Sequence, residues 1–227
     1  KLLGPLKKIH VPVHEIAIYD RKLQMLHILS EPVIYKRKEN FVEFDAEQYF
    51  SLVLSMIQKT ASYGWQKNRQ KVAQIILTGQ AESLILLDQV HRPVCLGISW
   101  MDMRSSEECT ELSSVFSRTS CYHITGQPEL IPTWPITKIL WFKNNQPDIA
   151  QKTAHYLLLK DYIVFRLCGN MAGEHSIYCF SHYFNITERC YWKEILDYCG
   201  VRSEQLPGLM PSGSIAGRLK EEFSGPE

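Results

Sequence analysis

Apolar runs and polar turns alternate most clearly between Val72 and Arg104. Ile75-Ile76-Leu77 ends at Thr78-Gly79, Gln80-Ala81-Glu82 makes a tight polar turn, and Leu84 to Leu87 is a returning apolar run. Asp88 to His91 supplies a second turn before Pro93, and Val94 to Ile98 leads into Ser99-Trp100-Met101-Asp102-Met103-Arg104. Short apolar runs bounded by turn residues predict strands. The polar side chains at their ends are where a buried sheet can meet a ligand.

Upstream, His14 to Tyr19 and Leu23 to Ser30 alternate as the arms of an antiparallel hairpin around Asp20-Arg21-Lys22, and Phe41 to Phe44 predicts a further extended run after a charged loop. Asp45 as N-cap, with Gln48 at the capping-box position, opens a helix that carries Tyr49, Leu52, Val53, Met56 and Ile57 on one face and ends near Gly64. This order predicts antiparallel and parallel neighbours in one mixed sheet.

Past Arg104 the pattern turns helical. Ser106 caps a helix with Cys109, Leu112, Val115 and Phe116; Thr133 to Asn144 turns Ile136, Ile139, Leu140 and Trp141 inward; Pro147 starts another helix. Tyr156 to Leu159 predicts a strand, Asp161 caps a helix over Tyr162 to Cys168 that stops at Gly169, and Trp192 to Cys199 stops at Gly200. Leu206 to Gly213 is a turn-rich connector, and Ile215 to Leu219 begins a strand. We expect one domain over residues 1–227, with 105–212 as a helical elaboration of its sheet.

Composition narrows the classes. Among 227 residues, 45% are hydrophobic and 25 basic residues face 24 acidic ones, so nothing in the bulk charge calls for nucleic acid. No apolar run approaches the roughly 18 residues that span a bilayer, so a soluble, cytoplasmic protein is expected. The seven cysteines form no C-x-x-C pair and are expected as free thiols, and they and the eight histidines lack the spacing of a zinc site.

One ordered series of motifs goes further. Thr78-Gly79-Gln80, Asp88, Pro93, Ser99-Trp100-x-Asp102-x-Arg104 and Thr125-Gly126-Gln127-Pro128 are followed by Lys138-Ile139-Leu140-Trp141, Asp161-Tyr162-x-x-x-Arg166-Leu167-x-Gly169, Ser176, Trp192 and Leu206-Pro207. Over residues 14 to 219 this resembles the N-terminal half of the FGGY carbohydrate kinases, a family that includes xylulokinase-, gluconokinase- and glycerol-kinase-like members. The resemblance implies an α/β, ribonuclease-H-like (actin/hexokinase superfamily) domain with a mixed five-stranded sheet, flanking helices and a helical insertion. It implies transfer of the γ-phosphoryl group of ATP, with Mg, to a hydroxyl of a sugar, polyol or sugar acid. Such chemistry needs a carboxylate to accept the hydroxyl proton and polar groups to orient the acceptor.

The resemblance puts Glu174 at the family's aspartate base, where the alternative is a residue of a helix's first turn favoured by the dipole. His175 is expected as a second polar contact, the alternative being a structural histidine. Gln80, Ala81 and Glu82 occupy the turn that faces substrate in relatives; Glu82 matches glycerol-kinase-like members, whereas Ala81 replaces their arginine, which argues against glycerol. Trp100, Asp102 and Arg104 match W-x-D-x-R, the alternative being an Asp102–Arg104 pair with Trp100 as a lid over the core. Where the family reads D-x-G-T-[TS], this chain reads Ile9-His10-Val11-Pro12-Val13-His14. The phosphate motif and the family's C-terminal nucleotide domain are thus expected to be absent, with ATP and Mg implied by the family alone. Expected partners are a small carbohydrate, the C-terminal kinase domain and, as an assembly option, a second copy in a homodimer; nucleic acid and membrane are not. Two functions follow: the sugar-binding half of a kinase, inactive alone, or a non-catalytic carbohydrate-binding or regulatory relative. A purely structural module, the third reading, predicts Glu82 and Glu174 far apart.

Overall fold

The computed structural model describes residues 13–68 and 71–223. The departure from the phosphate motif over Ile9 to Pro12 therefore lies outside the described residues. The chain forms two compact units, one from the described residues of 1–35 and 47–75, the other from 36–46 and the chain from Ile76 onward.

In the first unit, β1 (Val13–Tyr19) and β2 (Met25–Pro32) form the expected antiparallel hairpin, with Ile16 opposite Leu29. Asp20 makes the turn: its Oδ1 accepts from the backbone amides of Lys22 at 2.8 Å and Gln24 at 2.9 Å. Most of α1 (Ala46–Asn68) belongs here, running one turn past Gly64. Gly64 meets β1: a Cβ on it would lie 2.7 Å from Ile18 Cδ1, so only glycine admits this approach without a shift.

The second unit is built on a five-stranded sheet of order β3-β4-β6-β5-β7, from β3 (Lys36–Lys38), β4 (Phe41–Phe44), β5 (Leu84–Leu87), β6 (Gly97–Ile98) and β7 (His155–Leu158). All four pairings are antiparallel. β5 is buried on both faces, which is why Leu-Ile-Leu-Leu does not alternate. Helices α2 (Ser106–Val115), α3 (Arg118–Thr125), α4 (Pro135–Asn145) and α5 (Pro147–Lys152) follow, then α6 (Leu159–Cys168) after β7. β8 (Ala172–Glu174) leads to α7 (His175–Tyr178), the ladder β9 (Phe184–Asn185) with β10 (Cys190–Tyr191), α8 (Lys193–Cys199) and β11 (Gly208–Met210). Parallel pairing occurs between β8 and β11, outside the five-stranded sheet. Leu84, Leu86 and Ile98 pack with Leu112 of α2, Ile136, Ile139 and Leu140 of α4, and Ile195 and Leu196 of α8 in one core.

Several expectations are corrected. Ile75 to Leu77 is no strand: Ile76 is 80% exposed and residues 71–80 are irregular. A strand needs a partner ladder, and both sides of β5 are already taken by β6 and β7. Ile215 to Leu219 is irregular too; its Ala216 carbonyl accepts from Cys168 Sγ at the end of α6 at 3.9 Å, and the following Lys220 amide donates to Leu167 O at 2.9 Å. Of Val94 to Ile98 only the last two residues are strand. α6 starts at Leu159 with Leu158 as its N-cap, which puts Asp161 inside the first turn. The predicted connector at Leu206 to Gly213 contains β11. Elements that escape the pattern include β3, an all-charged exposed edge, α3, which buries only Cys121 and Thr125, and the short strands β8, β9 and β10.

Candidate functional site

The register decides what meets what. Leu84, the first residue of β5, pairs with Ile98 at the end of β6 and with Leu158 at the end of β7. The Gln80–Ser83 turn, the Ser99–Arg104 turn and the start of α6 therefore leave the sheet at one end.

Ser83, fully buried, joins them. Its Oγ accepts from Gln80 Nε2 at 2.9 Å and from the Trp100 amide at 3.0 Å, and its carbonyl accepts from the Leu159 amide at 2.9 Å. Lys138 reaches in from α4, also fully buried, and its Nζ donates to Ser99 O at 2.9 Å and Glu82 O at 3.3 Å. Burial brings its ammonium down to about 7, against the upward pull of Asp102 and Glu82. Glu82 sits in the left-handed region at φ +71°, a conformation that costs a non-glycine residue energy and concentrates at functional sites. Its half-buried carboxyl is pushed up by burial, while a hydrogen bond with Thr133 and the charge of Lys138 pull the other way.

Asp102 and Arg104 form a closed network. Asp102 is fully buried and accepts from the Val42 amide at 2.6 Å and from Arg104 Nε at 2.9 Å and Nη2 at 2.8 Å. Arg104 also donates to Glu43 at 2.7 Å, lies 4.1 Å from the Phe41 ring centroid, and keeps 2% of its side chain exposed. The pair fastens the Trp100 turn to β4, and the structure does not bring either side chain to a surface where a ligand could meet it. Trp100 differs: at 41% exposure its indole is open to solvent, so it is not a lid closed over the core.

Glu174 ends β8 and caps α7. Its carboxylate accepts from the amides of Ser176 at 3.1 Å and Ile177 at 3.0 Å, and from the hydroxyls of Ser176 and of Ser212, which follows β11. Lys160 Nζ stands 3.7 Å from it and 3.4 Å from the buried Asp161. Burial works upward on Glu174, but the hydrogen bonds from Ser212 and Ser176 and the charge of Lys160 hold it down at about 2. In this structure the carboxylate serves as the N-cap of α7. Asp161 is pushed up to about 6 by burial, opposed by Lys160 and by the hydrogen bond from Tyr178 OH at 2.8 Å. The His175 ring lies against Phe184, with centroids 5.5 Å apart. Glu82 and Glu174 are linked through three intervening residues: Ser83, next to Glu82, is bonded by Leu159, and the next residue, Lys160, reaches Glu174.

With this geometry in place, comparison with known proteins is decisive. Residues 14–225 match the FGGY family of carbohydrate kinases, N-terminal domain. The chain belongs to this family. It is 24% identical over 185 residues to the xylulose kinase of Staphylococcus xylosus, covering 82% of this chain and 38% of that protein. It is 27% identical over 170 residues to the gluconokinase of Bacillus licheniformis, covering 75% and 33%. A gluconate kinase from Lactobacillus acidophilus superposes with a TM-score of 0.85 at 24% identity, over 92% of this chain and 42% of that one, and shows the shared ribonuclease-H-like fold. This FGGY domain thus spans under half the length of the relatives it matches.

Ser83, Thr133, Lys160 and Ser212 carried no motif signal, and Lys138 appeared only as one letter of a motif. Polar letters next to apolar runs were their only sequence trace. No three His, Cys, Asp or Glu residues cluster as a metal site among the described residues.

Proposed function

We propose that this FGGY domain binds the small carbohydrate acceptor of an ATP-dependent kinase reaction. The observation that carries this reading is the convergence of the Gln80–Glu82 and Ser99–Trp100 turns at one end of the sheet, held by Ser83 and Lys138. Glu82 accepts a hydroxyl hydrogen bond, Gln80 offers its amide carbonyl, and the exposed Trp100 indole gives the sugar's C–H face an apolar platform. Ala81, small, leaves room beside them. Asp102 and Arg104 position the Trp100 turn from beneath. We assign Glu174 to capping α7 and not to proton abstraction, and His175 to packing beside it.

The names of its relatives point to ketoses and sugar acids as the acceptor class. ATP, Mg and the residues that hold them belong to this reading through family membership, with the nucleotide site on a C-terminal kinase domain. A cytoplasmic location fits seven cysteines that are all unpaired. Calorimetry with D-xylulose, D-gluconate and a panel of pentitols tests the proposal: binding independent of ATP is expected, and silence across the panel overturns it. The purified chain is expected to show no sugar-dependent ATP hydrolysis, because this reading puts the nucleotide site on the C-terminal kinase domain. Turnover by the purified chain would refute the assignment of the nucleotide site elsewhere. A non-catalytic carbohydrate-binding role makes the same binding prediction and is separated from the kinase reading by adding a family nucleotide domain and looking for turnover.

A further inference from the structure

We infer that Lys138 is the positioning residue of the carbohydrate site, setting the spacing between the Glu82 turn and the Trp100 turn without touching the ligand. The inference rests on the proposed sugar-binding role of those turns.

Residues Pro135 to Phe142 of α4 are all buried, and along this stretch every other buried position is apolar except Thr137. An apolar side chain would fill the place of Lys138 with less desolvation cost, since a buried ammonium is stable only when its surroundings satisfy it. What satisfies it here is two main-chain carbonyls from two different turns: Ser99 O at 2.9 Å and Glu82 O at 3.3 Å. Its other charged neighbours are Asp102 and Glu82, which favour the ammonium, and Arg104, which opposes it. With 0% exposure, Lys138 cannot meet a sugar itself.

The Glu82 carbonyl is the telling contact. Glu82 is held at φ +71°, and such a conformation persists when surrounding bonds over-determine it. Ala81 O to Ser83 N at 2.9 Å closes the turn locally, and Lys138 adds to Ser83 a second tie to the opposite turn, from the Glu82 carbonyl to that of Ser99. Ser99 is followed by Trp100, whose amide is already bound to Ser83 Oγ at 3.0 Å. The Glu82 carboxylate and the Trp100 indole are thereby preorganised on two backbones that one side chain spans, and preorganisation lowers the ordering cost of binding.

The test compares Lys138→Met, which keeps the apolar bulk and removes the donors, with Lys138→Gln, which keeps a shorter two-hydrogen donor. Each is titrated calorimetrically with D-xylulose and D-gluconate, and amide hydrogen exchange is measured without sugar. Lys138→Met is expected to weaken affinity by about tenfold or more, the scale of one lost net hydrogen bond. Exchange should quicken at residues 80–83 and 99–102 while the rest of the domain keeps its protection, and Lys138→Gln should recover part of both effects. Unchanged affinity and unchanged turn protection in Lys138→Met would overturn the inference, as would loosening spread evenly over the domain. If Lys138→Met does not fold, Lys138→Gln decides alone: loosening confined to the two turns supports the role, and none overturns it. Should the unmodified domain bind neither sugar, the functional reading fails while the exchange comparison still decides the tie between the turns.

Discussion

Glu174 shows how a single side chain's role follows from its bonds. A carboxylate that accepts from two amides and two hydroxyls caps a helix, and replacing such a cap by alanine costs about 0.5–2 kcal/mol. We expect Glu174→Ala to lose stability on that scale in urea unfolding. Its pH dependence follows from the carboxyl being held at about 2, below the ordinary 4.5: the unfolded chain takes up the proton first, so this stabilisation is present above pH 4.5 and drains as pH falls towards 2. Glu174→Gln should flatten that limb. Asp161 has the reverse sign. Held at about 6 against an ordinary 3.8, it favours the folded state below pH 3.8 and loses that advantage as pH rises through 6, so Asp161→Asn should flatten the pH 4–6 limb of the same titration. At the buried pair, Asp102→Ala leaves Arg104, with 2% of its side chain exposed, only Glu43 as counter-ion among the described residues, and a loss of about 3–5 kcal/mol in denaturant unfolding is expected.

At the scale of elements, two similar letter strings take different fates. Leu84 to Leu87 and Ile75 to Leu77 are both short apolar runs, yet the first is paired on both sides and fully buried, and the second is irregular with Ile76 at 80% exposure. Ile85→Ala should cost about 2–5 kcal/mol, whereas Ile76→Ala should stay within about 0.5 kcal/mol by the same unfolding measurement. Equal losses at both positions would contradict the strand assignment. The helices were more legible because an amphipathic helix satisfies its own backbone: Pro147, Gly169 and Gly200 mark ends that the structure keeps. The strand β3 was invisible for the opposite reason, since Lys36-Arg37-Lys38 has no apolar face and is a strand only because β4 lies beside it.

At the scale of the whole molecule, membership of the FGGY family was legible in the order of motifs, because the same letters recur in the same sequence order whatever the fold does with them. The placement of two turns was partly legible too: Gln80–Glu82 and Ser99–Trp100 leave one end of the sheet beside Leu84 and Ile98, although the strand expected before the first turn does not form. Stability measurements carry this to the functional level. At a sugar concentration a hundredfold above Kd, a single site adds about 2.7 kcal/mol, and added ATP should change nothing further for this domain. A thermal shift that needs ATP would count against a sugar site complete within it.

The sequence by itself determined which stretches are apolar enough to be buried, where most helices stop, and to which family the chain belongs. These follow from local periodicity, from backbone freedom at Gly and Pro, and from motif order along one dimension. Only the tertiary structure decided that Asp102 and Arg104 close on each other and on Glu43, that Glu174 caps a helix end, and that Ser83 and Lys138 tie two turns together. Apart from the local Asp102–Arg104 pair and the Glu174 bonds to the start of α7, those outcomes depend on partners 17 to 61 positions away along the chain, and a hydrogen-bonding group's role is fixed by which partner the fold delivers to it.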